Sequence, residues 1–337
     1  MDAPADPRLD LLRYYAAYFA PGMADLSASC PPPAALAVDL GYELDGDALA
    51  FVPPAGAPDL REAIAARYEG LTAEDIVISA GASEALAAIA LALLEPGSRA
   101  AVDGGIYPSF TEAAKSAGAT LAPESPLVPG TRVVVVCNPT TPAGRIRDMA
   151  ALCREARATG ATVVADEVYR DLSRVPLPAA ATLDPGAISI GDLSKPLGLG
   201  ALRIGWIATR DVDVRERLDR QLQLLSGGPS ALSVRAALAA FERFDAAVAA
   251  TVDRAEENGA HIFRALTSHD WTWTPPEAGL TVAAWPARPL DAAAEQRVRD
   301  AGYFLIPCDM YGAPGAYRFS LLAPPATVCH ALDLLAG

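Results

Sequence analysis

Residues 9–20 (LDLLRYYAAYFA) space their apolar positions as one face of a helix, which Pro21-Gly22 would end. A Pro-rich stretch, CPPPAALAVD, follows from Cys30. Pro58, suited to a first helical position, predicts a helix over 58–69. From there short apolar runs and helical stretches alternate. IVIS (76–79) predicts a short strand, and SEALAAIALALL (83–94) a helix that is apolar on most faces and therefore buried. RVVVVC (132–137) is a continuous apolar run, the pattern of a parallel strand covered on both sides. A helix is expected over 148–158, and strands over 161–166, 187–192 and 202–208. Such alternation predicts an open α/β sheet. After residue 212 the pattern becomes helical (212–225 and 229–267), interrupted at Ser226-Gly227-Gly228-Pro229. Residues 270–337 mix short strands (LTVAAW, YFLIP, YRFSLL) with two helices, which predicts a smaller α+β domain.

A length of 337 residues is enough for about two domains. The net charge of −14 argues against nucleic-acid binding, since no excess of cations would neutralise phosphates. Cys30, Cys137, Cys153, Cys308 and Cys329 form no C-x-x-C pair, and the histidines are isolated, so neither zinc nor a disulfide framework is expected. The acidic start MDAPADPRLD does not resemble a signal peptide, and the apolar stretch from Ala85 to Leu94 is too short to cross a bilayer. A soluble cytoplasmic protein is expected. Among 27 basic residues only Lys115 and Lys195 are lysines. Lysine condenses with carbonyl groups and arginine does not, so each lysine is a candidate for chemistry.

In open α/β sheets ligands gather at the carboxyl ends of the strands. Those ends offer Ser79-Ala80-Gly81-Ala82-Ser83, Cys137-Asn138-Pro139, Asp166-Glu167 and Asp192-Leu193-Ser194-Lys195. Gly81-Ala82-Ser83 opens the buried helix, where free N–H groups and the helix dipole suit a phosphate. A plain helix cap at Ser83 would explain the same residues. Asp166 ends a buried strand and needs a cationic partner, whether a ligand or a structural ion pair. Arg203, eight residues after Lys195, could reach a phosphate or form a surface ion pair.

FVPPAGAPDLREAIA (51–65), SAGASEALAAIALALLEPG (79–97), CNPTTPAGRI (137–146), ADEVYRDL (165–172) and SKPLGLGALRIGW (194–206) occur in the order found in fold-type I pyridoxal-phosphate (PLP) enzymes. The chain resembles the class I/II aminotransferases of the aspartate aminotransferase superfamily. PEAGLTVAAW (276–285) and YRFSLLAP (317–324) agree. The resemblance implies a mostly parallel mixed sheet with helices on both faces as the large PLP domain, plus a smaller α+β domain. It places an N-terminal segment at 1–45, the large domain at 46–228, and an interdomain helix with the small domain at 229–337. It implies a Schiff base of PLP with Lys195, whose freed amine then moves the substrate α-proton. Asp166 would pair with the pyridine nitrogen, and Tyr169 would hydrogen-bond the phenolic oxygen. Gly81, Ala82, Ser83, Ser194 and Arg203 would hold the phosphate, Tyr107 would stack on the ring, and Arg318 would clamp the substrate α-carboxylate. A homodimer is implied, acting on an amino acid and a 2-oxo acid, without nucleic acid or membrane.

Three residues depart from the family pattern. Phe51 stands where a tyrosine often reaches the neighbouring subunit's phosphate. Thr141 replaces the asparagine that contacts the phenolic oxygen. Asp192 occupies a position commonly Ser or Thr, and is expected to point away from the phosphate or to pair with an arginine. Only 31 positions separate Tyr107 from Asn138, so a trimmed sheet element is expected. The departures leave open a different PLP reaction, such as elimination, γ-replacement, cyclisation or oxidation. A PLP-binding regulator is a third reading, which the short acidic N-terminal stretch disfavours. Tyr14, Tyr15, Tyr18 and Phe19 could line the site, though their helical spacing equally describes core packing.

Overall fold

The computed structural model describes residues 6–32, 51–103 and 105–336. Most of the Pro-rich stretch and the boundary expected at 45/46 lie outside them. In chain order the elements are α1 (Leu11–Tyr18), β1 (Ala24–Asp25), α2 (Pro58–Ala65), β2 (Ile76–Ser79), α3 (Ala82–Leu93), β3 (Arg99–Val102), α4 (Pro108–Ser116), β4 (Thr120–Pro123) and β5 (Thr131–Cys137). Then come α5 (Met149–Thr159), β6 (Thr162–Asp166), α6 (Ala180–Leu183), β7 (Ile188–Asp192), α7 (Ser194–Leu197), β8 (Gly205–Ala208), α8 (Val212–Leu225), α9 (Ala231–Phe241) and α10 (Phe244–Ser268). The chain ends with β9 (Trp271–Trp273), β10 (Thr281–Pro286), α11 (Ala292–Asp300), β11 (Tyr303–Phe304), β12 (Ile306–Pro307), β13 (Tyr317–Ser320) and α12 (Pro325–Ala336). Two compact units form, one from 32–138 and 147–248, the other from 1–31, 139–146 and 249–337.

The first unit is built on a seven-stranded sheet of order β2-β8-β7-β6-β5-β3-β4. Only β8 runs antiparallel to its neighbours. All of β5 but Arg132 is buried, as its apolar run demands of a strand covered on both faces. Helix ends carry their own stops: Asp148 accepts from Ala151 N–H at the start of α5, and Gly160, at φ 77°, ends it. This topology brings the carboxyl ends of β2, β3, β5, β6 and β7, and the amino end of β8, to one edge of the sheet.

The stretch from Tyr107 to Asn138 contains α4, β4 and β5. β3 and β4 have four residues each and no long apolar run to mark them in the sequence. The last large-unit strand begins at Gly205 and not at 202, because Arg203 adopts a left-handed conformation at φ 53° that a strand cannot accommodate.

Gly191 in β7 lies flat against Trp206 in β8, and a Cβ there would overlap the indole. Trp206 is buried and its Nε1 donates to the Tyr68 hydroxyl at 2.7 Å, so the ring has nowhere to go. Gly191→Ala is expected to destabilise by about 1–3 kcal/mol, the usual cost of overpacking a core. A lower denaturant midpoint at unchanged slope would show it.

The second unit has a four-stranded antiparallel sheet of order β12-β13-β10-β9 and a parallel pair, β1 with β11. Tyr14 on α1 is buried with Phe304 and Ile306, and Tyr15 and Tyr18 pack against that cluster. The aromatic helix face is therefore core packing of this unit. Ser27 ties the N-terminal segment in: its hydroxyl donates to Arg318 O at 2.5 Å and accepts from Ile306 N–H at 2.9 Å.

Candidate active site

The turn between β2 and α3 leaves the helix without a side-chain cap. Gly81, at φ 84°, is the residue before its first turn, so Ser83 sits inside the helix and is not the plain cap the sequence allowed. Glu84 reaches back to accept from Ala80 N–H at 2.5 Å. The N–H groups of Ala82 and Ser83 belong to a first turn, which has no intrahelical acceptors. Arg203 lies across this turn, its Nη2 donating to Ala80 O at 2.7 Å. A Cβ on Gly81 would enter the Arg203 guanidinium, and one on Gly205 would come within 2.5 Å of the Gly81 carbonyl carbon. Two glycines thus create a backbone-lined cradle beside a cation and a helix N-terminus, a donor set that suits a phosphate. Ser194 opens α7 at the same edge of the sheet.

At the end of β6, Asp166 is buried and accepts from Val168 N–H at 3.4 Å. Burial first, and the neighbouring Asp192 second, push its carboxyl up to about 7, while Lys195 pulls it down. Such an acid lacks a full counter-charge and suits a cationic ring nitrogen. The next strand, β7, brings Lys195 to the same place: its Nζ is 5.8 Å from the centre of the buried Tyr169 ring. Lys195, just after β7, therefore converges with Asp166 and Tyr169, which lie more than 25 residues before it. Asp192 joins them. It does not pair with an arginine as one expectation had it; its Oδ1 accepts from the backbone N–H groups of Ser194 and Lys195 at 3.1 and 3.2 Å. Tyr107 precedes α4 at the carboxyl end of β3 and is 38% exposed.

Sequence reasoning missed what holds this loop. Glu167 is buried and accepts from Ala180 N–H at 2.7 Å. Arg170 stands 3.6 Å from it and stacks 4.2 Å from the centre of the Tyr68 ring. The signal was the three-residue spacing of Glu167 and Arg170, which puts both on one side of a turn. Asn138 is buried too, and its Oδ1 accepts from Arg147 N–H at 2.9 Å, shaping the exit from β5.

Thr141 and Arg318 belong to the other unit. The Thr141 loop is pinned there by Gly144 O, which accepts from Glu277 and Ala278 N–H. Among the described residues the buried Thr141 hydroxyl has no hydrogen-bond partner. Arg318 is buried on β13 and its Nη1 donates to the Tyr311 hydroxyl at 2.8 Å. Among the described residues no group of His, Cys, Asp or Glu could hold a metal ion.

A mostly parallel sheet with a buried acid, a lysine and a glycine-lined cradle at one edge suits a PLP-dependent transferase. The chain belongs to the aminotransferase class I and II family, which it matches over residues 23–335. It is similar to the histidinol-phosphate aminotransferase of Roseobacter denitrificans, 30% identical over 305 residues, or 82% of this chain and 80% of that protein. It is 28% identical to the valine–pyruvate aminotransferase of Mycobacterium tuberculosis over 64% of this chain, and spans 61% of that relative's length. Among solved structures, the PLP-dependent cyclase OrfR is 27% identical with a TM-score of 0.85, covering 100% of this chain and 97% of that one. The family carries PLP as its cofactor, and the cradle, the buried acid and the lysine are a set that could hold it.

Proposed function

We propose that this aminotransferase moves the amino group of an amino acid to a 2-oxo acid, with Lys195, Asp166 and Tyr169 as its catalytic residues. The observation that carries this reading is the convergence of those three side chains beside the cradle formed by Gly81, Gly205 and Arg203. Bound PLP supplies an electron sink for the bonds of the substrate α-carbon. The Lys195 amine takes the α-proton and returns it, within reach because α7 begins directly at the sheet edge. The Asp166 carboxylate keeps a proton on the ring nitrogen. The Tyr169 hydroxyl serves the phenolic oxygen, assisted by Thr141. Gly81, Ala82, Ser83, Ser194 and Arg203 hold the phosphate, and Tyr107 covers the ring. Arg318 takes the substrate α-carboxylate in a two-pronged grip that only a guanidinium provides.

Among the amino acids offered singly, the donor should yield its 2-oxo acid in an amount equal to the enzyme present, and turnover should begin when a 2-oxo acid is added. No 2-oxo acid from any of the twenty would overturn the reading. Product made repeatedly without an acceptor would replace it by a second reading, elimination, γ-replacement, cyclisation or oxidation, of which cyclisation is the reaction in the name of the similar structure OrfR. Arg318→Lys keeps the charge and loses the fork. A charge-assisted hydrogen bond contributes about 1.5–3 kcal/mol. The KM for the amino acid should therefore rise about 10- to 100-fold with a smaller change in kcat.

A homodimer in the cytoplasm is the proposed working form. Phe51, beside Gly227, is 75% exposed and Leu224 is 73% exposed, large apolar side chains that suit contact with a second copy. Light scattering that shows a fully active monomer would contradict it. Among the described residues no cysteine is in a disulfide, as suits a reducing compartment, and no helix is long and apolar enough to cross a membrane.

A further inference from the structure

We infer that Asp103 and Arg147 are a positioning pair for Tyr107: their ion pair fixes the loop that carries this ring against the exit of β5. This rests on the reading that Tyr107 covers the ring of bound PLP. Four residues separate β3 from Tyr107, and two of them, Gly104 and Gly105, have no side chain with which to fix a turn. Asp103 does that work. Its backbone N–H donates to Val135 O at 3.0 Å, which continues the pairing of β3 with β5. Its backbone O accepts from Ile106 N–H, and its Oδ1 accepts from Gly105 N–H, both at 3.2 Å. An aspartate that bonds to the backbone two residues on shapes its own turn. The other carboxylate oxygen, Oδ2, reaches across the sheet edge: it accepts from Cys137 N–H at 3.4 Å and stands 2.8 Å from Arg147 Nη2.

Arg147 closes the other side. The chain leaves the large unit after Asn138 and returns to it at Arg147. The Arg147 N–H donates to Asn138 Oδ1 at 2.9 Å, and the Asn138 N–H donates to Asp166 O at 2.9 Å. The ends of β3, β5 and β6 are therefore linked through Asp103, Arg147 and Asn138. The paired side chains are 12% and 28% exposed, so water screens their attraction less than that of a surface pair. Glu124 is a second acid on the same guanidinium, at 3.4 Å, and among the described residues it bonds to none of the Tyr107 loop. A loop fixed before its ligand arrives leaves less freedom to be lost on binding. The pair should therefore show in the affinity for PLP, and should act only through Tyr107.

The test is titration of the PLP-free full chain with PLP, read by circular dichroism of the cofactor's visible band. Asp103→Asn and Arg147→Gln should each raise the Kd about tenfold, the lower end for a hydrogen bond between charged groups. The double variant should lose no more than either alone. Glu124→Gln takes a partner from Arg147 without touching the loop, and should bind PLP as wild type does. In a Tyr107→Ala background, Asp103→Asn should cost nothing further. A full tenfold loss in that background would overturn the inference, because the pair would then act on the fold at large. A loss in Glu124→Gln as large as that in Asp103→Asn would also overturn it. Hydrogen exchange of the PLP-free wild type keeps the question open to measurement even if the variants do not fold. A Gly105 N–H exchanging as fast as an unbonded amide would mean that Asp103 does not hold the loop. If Tyr107→Ala itself left the Kd unchanged, the reading of Tyr107 would fall and the inference with it. Failure of borohydride to fix PLP at Lys195 would sink the functional reading, whereas the Gly105 exchange rate speaks only to Asp103.

Discussion

Lys195→Ala is expected to abolish covalent attachment of PLP and to lower kcat by about four orders of magnitude, the upper range for a positioned proton-transfer group. The expectation is sharp because nothing can substitute. The other lysine, Lys115, lies on α4 and is bonded to Glu112 at 2.6 Å. Arg203 is held at the β2–α3 turn, and a guanidinium neither condenses with a carbonyl nor gives up its proton at neutral pH. Stopped-flow kinetics with the donor amino acid would read the loss. A variant retaining a hundredth of wild-type activity would mean that another group moves the α-proton.

Asp166→Asn should keep the shape of the site and remove its charge. Two opposite unit charges about 4 Å apart, at an effective dielectric near 20, interact by about 4 kcal/mol. That equals about three decades in rate, so kcat should fall about a thousandfold with PLP still attached to Lys195. Stability should move the other way in the chain freed of PLP. There Asp166 titrates at about 7, raised above its ordinary 3.8 chiefly by burial. Between about pH 4 and pH 7 the folded chain holds a proton that the unfolded chain has released, so stability falls as pH rises through that window. Asparagine carries no such proton. At pH 8 the PLP-free variant should therefore unfold at a higher denaturant concentration than the PLP-free wild type. Lower stability of the variant at pH 8 would show that Asp166 is already fully balanced by Lys195.

Both effects depend on residues whose convergence is only partly legible along the chain. The apolar runs of β5 and β6 and the buried helix α3 announce themselves, because a strand covered on both faces has no polar alternation. The ends of β6 and β7 then supply Asp166, Ser194 and Lys195 in an order that a family resemblance can recognise. Short elements do not announce themselves: β3 and β4 are held by their neighbours more than by their own composition. The same holds for the aromatic face of α1. Helical spacing could not tell a site lining from a core, and contact with Phe304 and Ile306 decides it.

The sequence by itself therefore determined the class of fold and, through the family resemblance, the cofactor, because apolar periodicity and motif order are properties of the chain. Tertiary structure alone decided where the charges look. Gly81, not Ser83, is the residue that precedes α3, and only a residue without a Cβ there leaves room for Arg203. Asp192 turns to the N–H groups of Ser194 and Lys195 because β7 ends where α7 begins. Glu167 and Arg170 lock the loop that carries Asp166 and Tyr169 because Tyr68 and Ala180 flank it. A buried charge takes its partner from whatever the fold brings within a few ångströms, and that neighbourhood is not a local property of the chain.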